Sequence, residues 1–176
     1  MIEIEVKARV DDARKMERAI IAMGATPMGI QDQADTYYNA PNRNFEKTDE
    51  ALRIRVEEDA FLTYKGPKMD ALSKTRQEFQ TVIKEPETMG NILSSLGFFP
   101  VATVTKRRKN YRLGDFFISL DEVRDLGSFI EVEIPVKNSK NYEEKVESIL
   151  KIVEKLGISR TSTIRESYLE MILGKK

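Results

Sequence analysis

The 176-residue chain contains no cysteine, no histidine and no tryptophan. Without thiols there is no disulfide framework and no thiolate zinc site, and without imidazole there is no His-based triad and no His metal ligand. Any bound metal must therefore be held by carboxylates, whose hard oxygens suit Mg²⁺ or Mn²⁺. Net charge is lacking too, since 29 Lys+Arg balance 29 Asp+Glu. A neutral chain lacks the long-range attraction on which non-specific nucleic-acid binders depend, so any basic site has to be local. No apolar run approaches the roughly 18 residues of a membrane span, and Met1 leads straight into a charged segment; a cytoplasmic protein is expected.

What is present is ordinary for a globular chain: 40% hydrophobic and 33% charged residues, with length enough for one domain, read as residues 1–176, around a real core. The first segment, Ile2-Glu3-Ile4-Glu5-Val6-Lys7, alternates apolar and charged residues. At period 2, Glu3, Glu5 and Lys7 share one face of a strand and Ile2, Ile4 and Val6 the other. Taken alone, such a face is most simply solvated. Its repetition further along the chain is the informative part.

The pattern predicts a strand over 2–9 and a helix over 12–23, capped by Asp11 and stopped by Gly24, with Ala13, Met16, Ile20 and Met23 buried. Strands follow over 27–38, 51–58, 60–66 and 73–83, with an Asn/Pro-rich loop from Asn39 to Asn44. A second helix runs from Pro86 to Leu96, burying Met89, Ile92, Leu93 and Leu96. Strands over 100–112, 115–122 and 128–136 precede a helix over 142–156 that buries Val146, Ile149, Leu150, Val153 and Leu156, and a short helix falls within 163–173. Met23-Gly24 before one strand and Leu96-Gly97 before another suggest a weak internal repeat, two halves that each open strand, helix, strands.

Charge recurs on one face throughout: Arg53 with Arg55; Lys65; Lys74, Arg76, Glu78 and Gln80; Lys106 with Arg108; Asp121; Glu131 with Glu133. Cations gather on the middle strands and carboxylates on the first and last. A solvated outer face explains any single strand, but less readily the ensemble of mid-strand arginines and paired glutamates. If instead the sheet closes with this face inward, its edges disappear, and buried like charges demand a polyanion and a cation. A triphosphate suits the cations Arg53, Arg55, Lys65, Arg76, Lys106 and Arg108, and Mg²⁺ or Mn²⁺ suits Glu3, Glu5, Glu131 and Glu133.

The ordered set formed by Glu3-x-Glu5-x-Lys7, Gln33-x-Asp35-x-Tyr37, Leu52-Arg53-Ile54-Arg55, Tyr64-Lys65-Gly66-Pro67, Lys74-Thr75-Arg76-Gln77-Glu78, Lys106-x-Arg108-x-x-Tyr111, Leu120-Asp121, Phe129-Ile130-Glu131-Val132-Glu133 and Ser167-Tyr168-Leu169 resembles the CYTH superfamily, the triphosphate tunnel metalloenzymes. The resemblance spans nearly the whole chain and is greatest to the class IV adenylyl cyclase branch. It implies an α+β fold: a closed antiparallel eight-stranded β-barrel with amphipathic helices packed outside. It also implies Glu3, Glu5, Asp121, Glu131 and Glu133 as metal ligands or their orienters, and Lys7, Arg53, Arg55, Lys65, Arg76, Lys106 and Arg108 as phosphate contacts. Glu3, Glu5, Lys7, Glu78 and Asp121 would form the catalytic set.

The activity implied is conversion of ATP to cyclic AMP and pyrophosphate with Mg²⁺ or Mn²⁺. Hydrolysis of an inorganic, thiamine or nucleoside triphosphate is the alternative, and triphosphate or polyphosphate binding without turnover a second. The expected partner is a small-molecule triphosphate, with no membrane, no non-specific nucleic acid and a homodimer as an option. Where some relatives carry histidine, this chain has Tyr37 and Tyr38, so base specificity does not transfer; both tyrosines read first as structural.

Overall fold

The computed structural model describes residues 2–68, 76–136 and 142–174. Alternating segments form the strands β1 (Ile2–Val10), β2 (Thr26–Asn39), β3 (Ala51–Val56), β4 (Ala60–Lys68), β5 (Arg76–Ile83), β6 (Phe99–Leu113), β7 (Phe116–Val123), β8 (Gly127–Val136) and β9 (Thr163–Ile164). The helices are α1 (Ala13–Ala22), α2 (Phe45–Thr48), α3 (Pro86–Ser95), α4 (Tyr142–Lys155) and α5 (Tyr168–Leu173). Asp12 rather than Asp11 caps α1, accepting from the Lys15 backbone N–H at 2.9 Å. The single turn α2 follows the Asn/Pro-rich loop, in a stretch for which the sequence predicts no element; Asn39 Oδ1 and Asn44 Oδ1 accept the orphan amides of Phe45 and Glu46 at its start.

All neighbouring strands pair antiparallel in one nine-stranded sheet, ordered β5-β4-β3-β2-β6-β7-β8-β1-β9. The closed eight-stranded barrel is therefore corrected: the sheet is open. Closure of eight strands would need the outer edge of β1 to meet β5, but that edge is taken by Thr163–Ile164, which pairs with Lys7 and Ala8. The sheet ends there instead of zipping shut.

The order is symmetric about the β2/β6 junction, with β3 answering β7, β4 answering β8 and β5 answering β1. The suspected duplication is thus visible in the topology. Its two helix stops, Gly24 (φ 87°) and Gly97 (φ 89°), both sit in the left-handed region where a side chain would be strained.

Apolar alternation decides which face is covered. Ile4 and Ala8 of β1, Ile118 of β7 and Val132 of β8 pack with Ile20 of α1 and with Ile149 and Val153 of α4. Leu52 and Ile54 of β3 pack with Phe45 of α2 and Leu93 of α3. The predicted stripe of α3 is half right: Met89 and Leu93 face this cluster, whereas Ile92 and Leu96 are 47% and 64% exposed. The helix has turned so that its i, i+4 pair, not its full apolar set, meets the sheet. On the opposite, charged face α5 packs down, through Tyr168 against Phe129 of β8 and Val104 of β6. Among the described residues no helix is long and apolar enough to cross a membrane.

Candidate functional site

The charged face curves around a cleft of about 350 Å³. Register brings its lining together. On the β1/β8 ladder Glu5 stands opposite Glu133 and Lys7 opposite Glu131; on β2/β3 Tyr37 faces Arg53 and Asp35 faces Arg55; on β4/β5 Lys65 faces Glu78. Lys106 and Arg108 of β6 complete the floor. Ten side chains expected from the sequence, Glu5, Lys7, Arg53, Arg55, Lys65, Glu78, Lys106, Arg108, Glu131 and Glu133, thus line one cavity although 128 positions separate the first from the last. The side chains of Glu3 and Arg76, also expected here, lie outside what the structure describes.

Asp121, expected in the same cluster, is not among the lining residues. It is 0% exposed, below the cleft floor. Its carboxylate accepts from Arg108 Nε and Nη2 at 2.7 and 2.6 Å, from the Tyr168 hydroxyl at 2.9 Å and from Lys106 Nζ at 3.3 Å. Arg108 Nη2 donates in addition to Glu131. On the other side of the symmetry axis Asp35 does the same for the arginines of β3, accepting from Arg55 Nε at 2.6 Å, Arg55 Nη2 at 2.8 Å and Arg53 Nη1 at 3.2 Å. Each half therefore uses one buried aspartate to hold two cations upright from a neighbouring strand, in fork geometry for the arginines.

Sequence reasoning missed Asp35 as a site residue. The signal was its alternation with Gln33 and Tyr37 on one strand face, but a lone mid-strand aspartate does not reveal which arginines it will meet. Arg53 Nε, buried, has no hydrogen-bond partner among the described residues, so a strong donor is left pointing at no protein acceptor there.

The duplicated frame carries unequal charge. Among the described residues the β1/β8 wall bears Glu5, Glu131 and Glu133 with one cation, Lys7, while its counterpart across the axis bears Lys65 on β4 with Glu78 on β5, ion-paired at 2.9 Å. Glu5 and Glu133, directly opposed on adjacent strands, are like charges at a separation where repulsion destabilises a sheet unless a cation lies nearby. Among the described residues no three such groups converge into a ready-made coordination shell. The directly opposed pair Glu5 and Glu133 nevertheless fits a hard cation that takes its remaining oxygens from water and phosphate, as Mg²⁺ commonly does.

Burial and the neighbouring Arg108 push the Lys106 ammonium down to about 8, against the opposing pull of Asp121 and Glu131. Burial and the charges of Glu131 and Asp121 raise the Tyr168 hydroxyl far above its ordinary range, so it stays a donor. Burial would raise Asp35 as well, but the Arg55 hydrogen bonds and the charges of Arg53, Arg55 and Lys106 prevail and hold it at about 2, below its usual 3.8. Because the folded value is the lower one, this carboxylate stabilises the fold above the unfolded pKa, and that contribution is lost as pH falls from about 4 through 2. The expected loss is about 2 kcal/mol, which urea titrations at pH 6, 4, 3 and 2 would register, and which Asp35→Asn should remove from the pH dependence. Equal acid sensitivity in both proteins would refute the assignment.

A model of the CYTH domain matches residues 1–168. The chain belongs to the CYTH family. It is 40% identical over 172 residues, 97% of this chain and 98% of the relative, to a Methanocaldococcus jannaschii protein provisionally described as an adenylate cyclase. It is 24% identical over 170 residues, 94% and 86% of the two chains, to the adenylate cyclase CyaB of Aeromonas hydrophila. Among solved structures, the PH1819 protein of Pyrococcus horikoshii superposes with a TM-score of 0.91 at 39% identity, covering 99% of both chains. A Hippeastrum protein, described as an adenylyl cyclase candidate with a dominant triphosphatase activity, shares the fold at a TM-score of 0.71 and 16% identity, over 99% and 96% of the chains.

Proposed function

We propose that this CYTH protein is a metal-dependent enzyme acting on an organic triphosphate, and that its reaction is conversion of ATP to cyclic AMP and pyrophosphate. The observation that carries the reading is the pairing, in one cleft, of a cation set (Lys7, Arg53, Arg55, Lys65, Lys106, Arg108) with directly opposed carboxylates (Glu5, Glu133). A pure anion binder gains nothing from opposed carboxylates beside its anion, whereas an enzyme that also binds a divalent cation does.

In this reading Glu5, Glu131 and Glu133, with Glu3 on the same strand as Glu5, hold the divalent ion. Bound there, the ion supplies Lewis-acid chemistry that favours ionisation of the attacking hydroxyl and neutralises phosphate charge. The chain's own residues do the positioning. Arg53 and Arg55, fixed by Asp35, and Lys106 and Arg108, fixed by Asp121, present preorganised donors to the phosphate oxygens. The ribose 3′-hydroxyl gives its proton to solvent water and its oxygen forms a bond to the α-phosphorus as the α-phosphorus bond to the bridging oxygen breaks, and the pyrophosphate that leaves is stabilised by this cation set. Asp121 acts through Arg108 and Lys106 rather than on substrate, and Glu78 acts through its ion pair with Lys65.

Triphosphatase activity is the second reading, favoured by the fact that these donors and carboxylates serve equally for attack of water on a terminal phosphorus. The two separate on products. The protein incubated with ATP, or with inorganic tripolyphosphate, and Mg²⁺ or Mn²⁺ is expected to yield cyclic AMP and pyrophosphate from ATP, resolved by ion-exchange chromatography. Free phosphate without cyclic AMP would replace the cyclase reading with the hydrolase. Tight binding without product would leave a triphosphate-binding protein.

A further inference from the structure

Two lysine ammonium groups sit at the wall of the cleft almost without solvent: Lys7 is 2% and Lys106 5% exposed. Each has surrendered hydration, and both lie over a single aromatic ring. The Nζ of Lys7 is 4.4 Å and that of Lys106 5.1 Å from the ring centroid of Tyr168, within the range in which a ring face attracts a cation. The same residue donates its hydroxyl to Asp121 at 2.9 Å, the carboxylate that also holds Lys106 and Arg108.

The ring is itself tightly placed. Phe129 meets it edge-on with centroids 5.1 Å apart. A capping box between Ser167 and Glu170 starts α5 at this residue. Four positions earlier, Ile164 of β9 pairs with Lys7, so the strand carrying one lysine is tied to the segment that presents the ring. A tyrosine kept merely to fill a core would need neither two ammonium groups over its ring nor a hydroxyl on the buried aspartate that one of them also contacts.

We infer that Tyr168 is a positioning residue of the cleft: its ring holds Lys7 and Lys106 in the orientation that receives phosphate oxygens, which makes the helix α5 part of the phosphate-binding apparatus. The consequence for phosphate rests on the triphosphate reading above; the consequence for the lysines does not. Ring faces bear negative potential, so they compensate buried ammonium groups without occupying the hydrogen-bonding directions that a phosphate then uses. A carboxylate in the same place would compete with the ligand.

The test pairs Tyr168→Phe, which keeps the ring, with Tyr168→Leu, which removes it. In protein labelled with ¹³C-lysine, the ε-methylene protons of Lys7 and Lys106 are expected to be shifted upfield by the ring current in wild type and in Y168F, and to return to ordinary positions in Y168L. Calorimetric titration with inorganic tripolyphosphate is expected to show Y168L weakened about tenfold or more and Y168F by less than about threefold. Ordinary lysine shifts in wild type, or upfield shifts retained in Y168L, would overturn the inference, as would Y168L that binds like wild type. Should Y168L fail to fold, loss of the shifts or tenfold weaker binding in Y168F would overturn it, because that variant keeps the ring. A wild-type protein that does not bind tripolyphosphate would remove the triphosphate reading, and the lysine shifts alone would then decide the role of Tyr168.

Discussion

Glu133→Gln is expected to lower metal-dependent turnover by at least about a hundredfold while leaving the fold intact, with Glu5→Gln behaving alike. Each substitution keeps size and one oxygen but removes the formal charge from a wall on which the two carboxylates face each other directly. A cation shared between them loses much of its electrostatic well. The sheet itself loses a like-charge cross-strand pair, which offsets part of the loss of each carboxylate's other contacts, so native secondary structure should persist without metal. The measurement combines a Mg²⁺ or Mn²⁺ titration of activity with circular dichroism melts in EDTA and in metal. Wild-type activity at every metal concentration in both variants would take Glu5 and Glu133 out of the cation site.

Asp121→Asn should give the opposite phenotype, a folding defect of about 3 kcal/mol or more, because it strips the charge from a fully buried carboxylate that anchors Lys106, Arg108 and Tyr168. The asparagine keeps an acceptor, yet two guanidinium hydrogen bonds and an ammonium contact lose their counter-charge, and breaking one partner of a buried ion network costs far more than the network's net worth. For a chain of this length the melting temperature should drop by about 6–12 °C. Tripolyphosphate should recover part of the loss, since the bound anion replaces the missing charge. The pairing of variants distinguishes a ligand from a buttress: loss of metal dependence in Asp121→Asn at undiminished stability would make Asp121 a ligand after all.

Much of the lining is legible in the sequence. Period-2 alternation puts Glu5 with Lys7, Arg53 with Arg55 and Glu131 with Glu133 on common strand faces whatever the fold, because successive side chains on a strand must point to opposite sides. The apolar complements of the same strands, Ile4, Ile54 and Val132, mark the face that helices cover. The glycines at 24 and 97 expose the duplication, since a helix that ends in a left-handed residue favours glycine at that point. Composition excludes histidine and cysteine chemistry outright.

Whether the sheet closes is not legible there. Alternation fixes the face of a side chain but not the partner of an edge, and the free edge of β1 is claimed by two residues, Thr163 and Ile164, too short a run to read as a strand. The division of labour among the acids is hidden for a related reason. Asp35 lines the cleft and Asp121 does not, yet both accept from arginines that reach them from the next strand. Depth below a surface depends on side-chain length and cross-strand register together, and register is a property of paired chains.

The sequence by itself determined the chemistry available here, carboxylates and cations with no imidazole or thiol, and the face on which each would stand, because residue type and strand periodicity are local. Only the tertiary structure decided which of these groups meet, that the sheet stays open, and that Tyr168 of the last helix meets both Lys106 and, from the far end of the chain, Lys7. Contacts of that range arise from packing and pairing among distant segments, and no spacing along the chain encodes them.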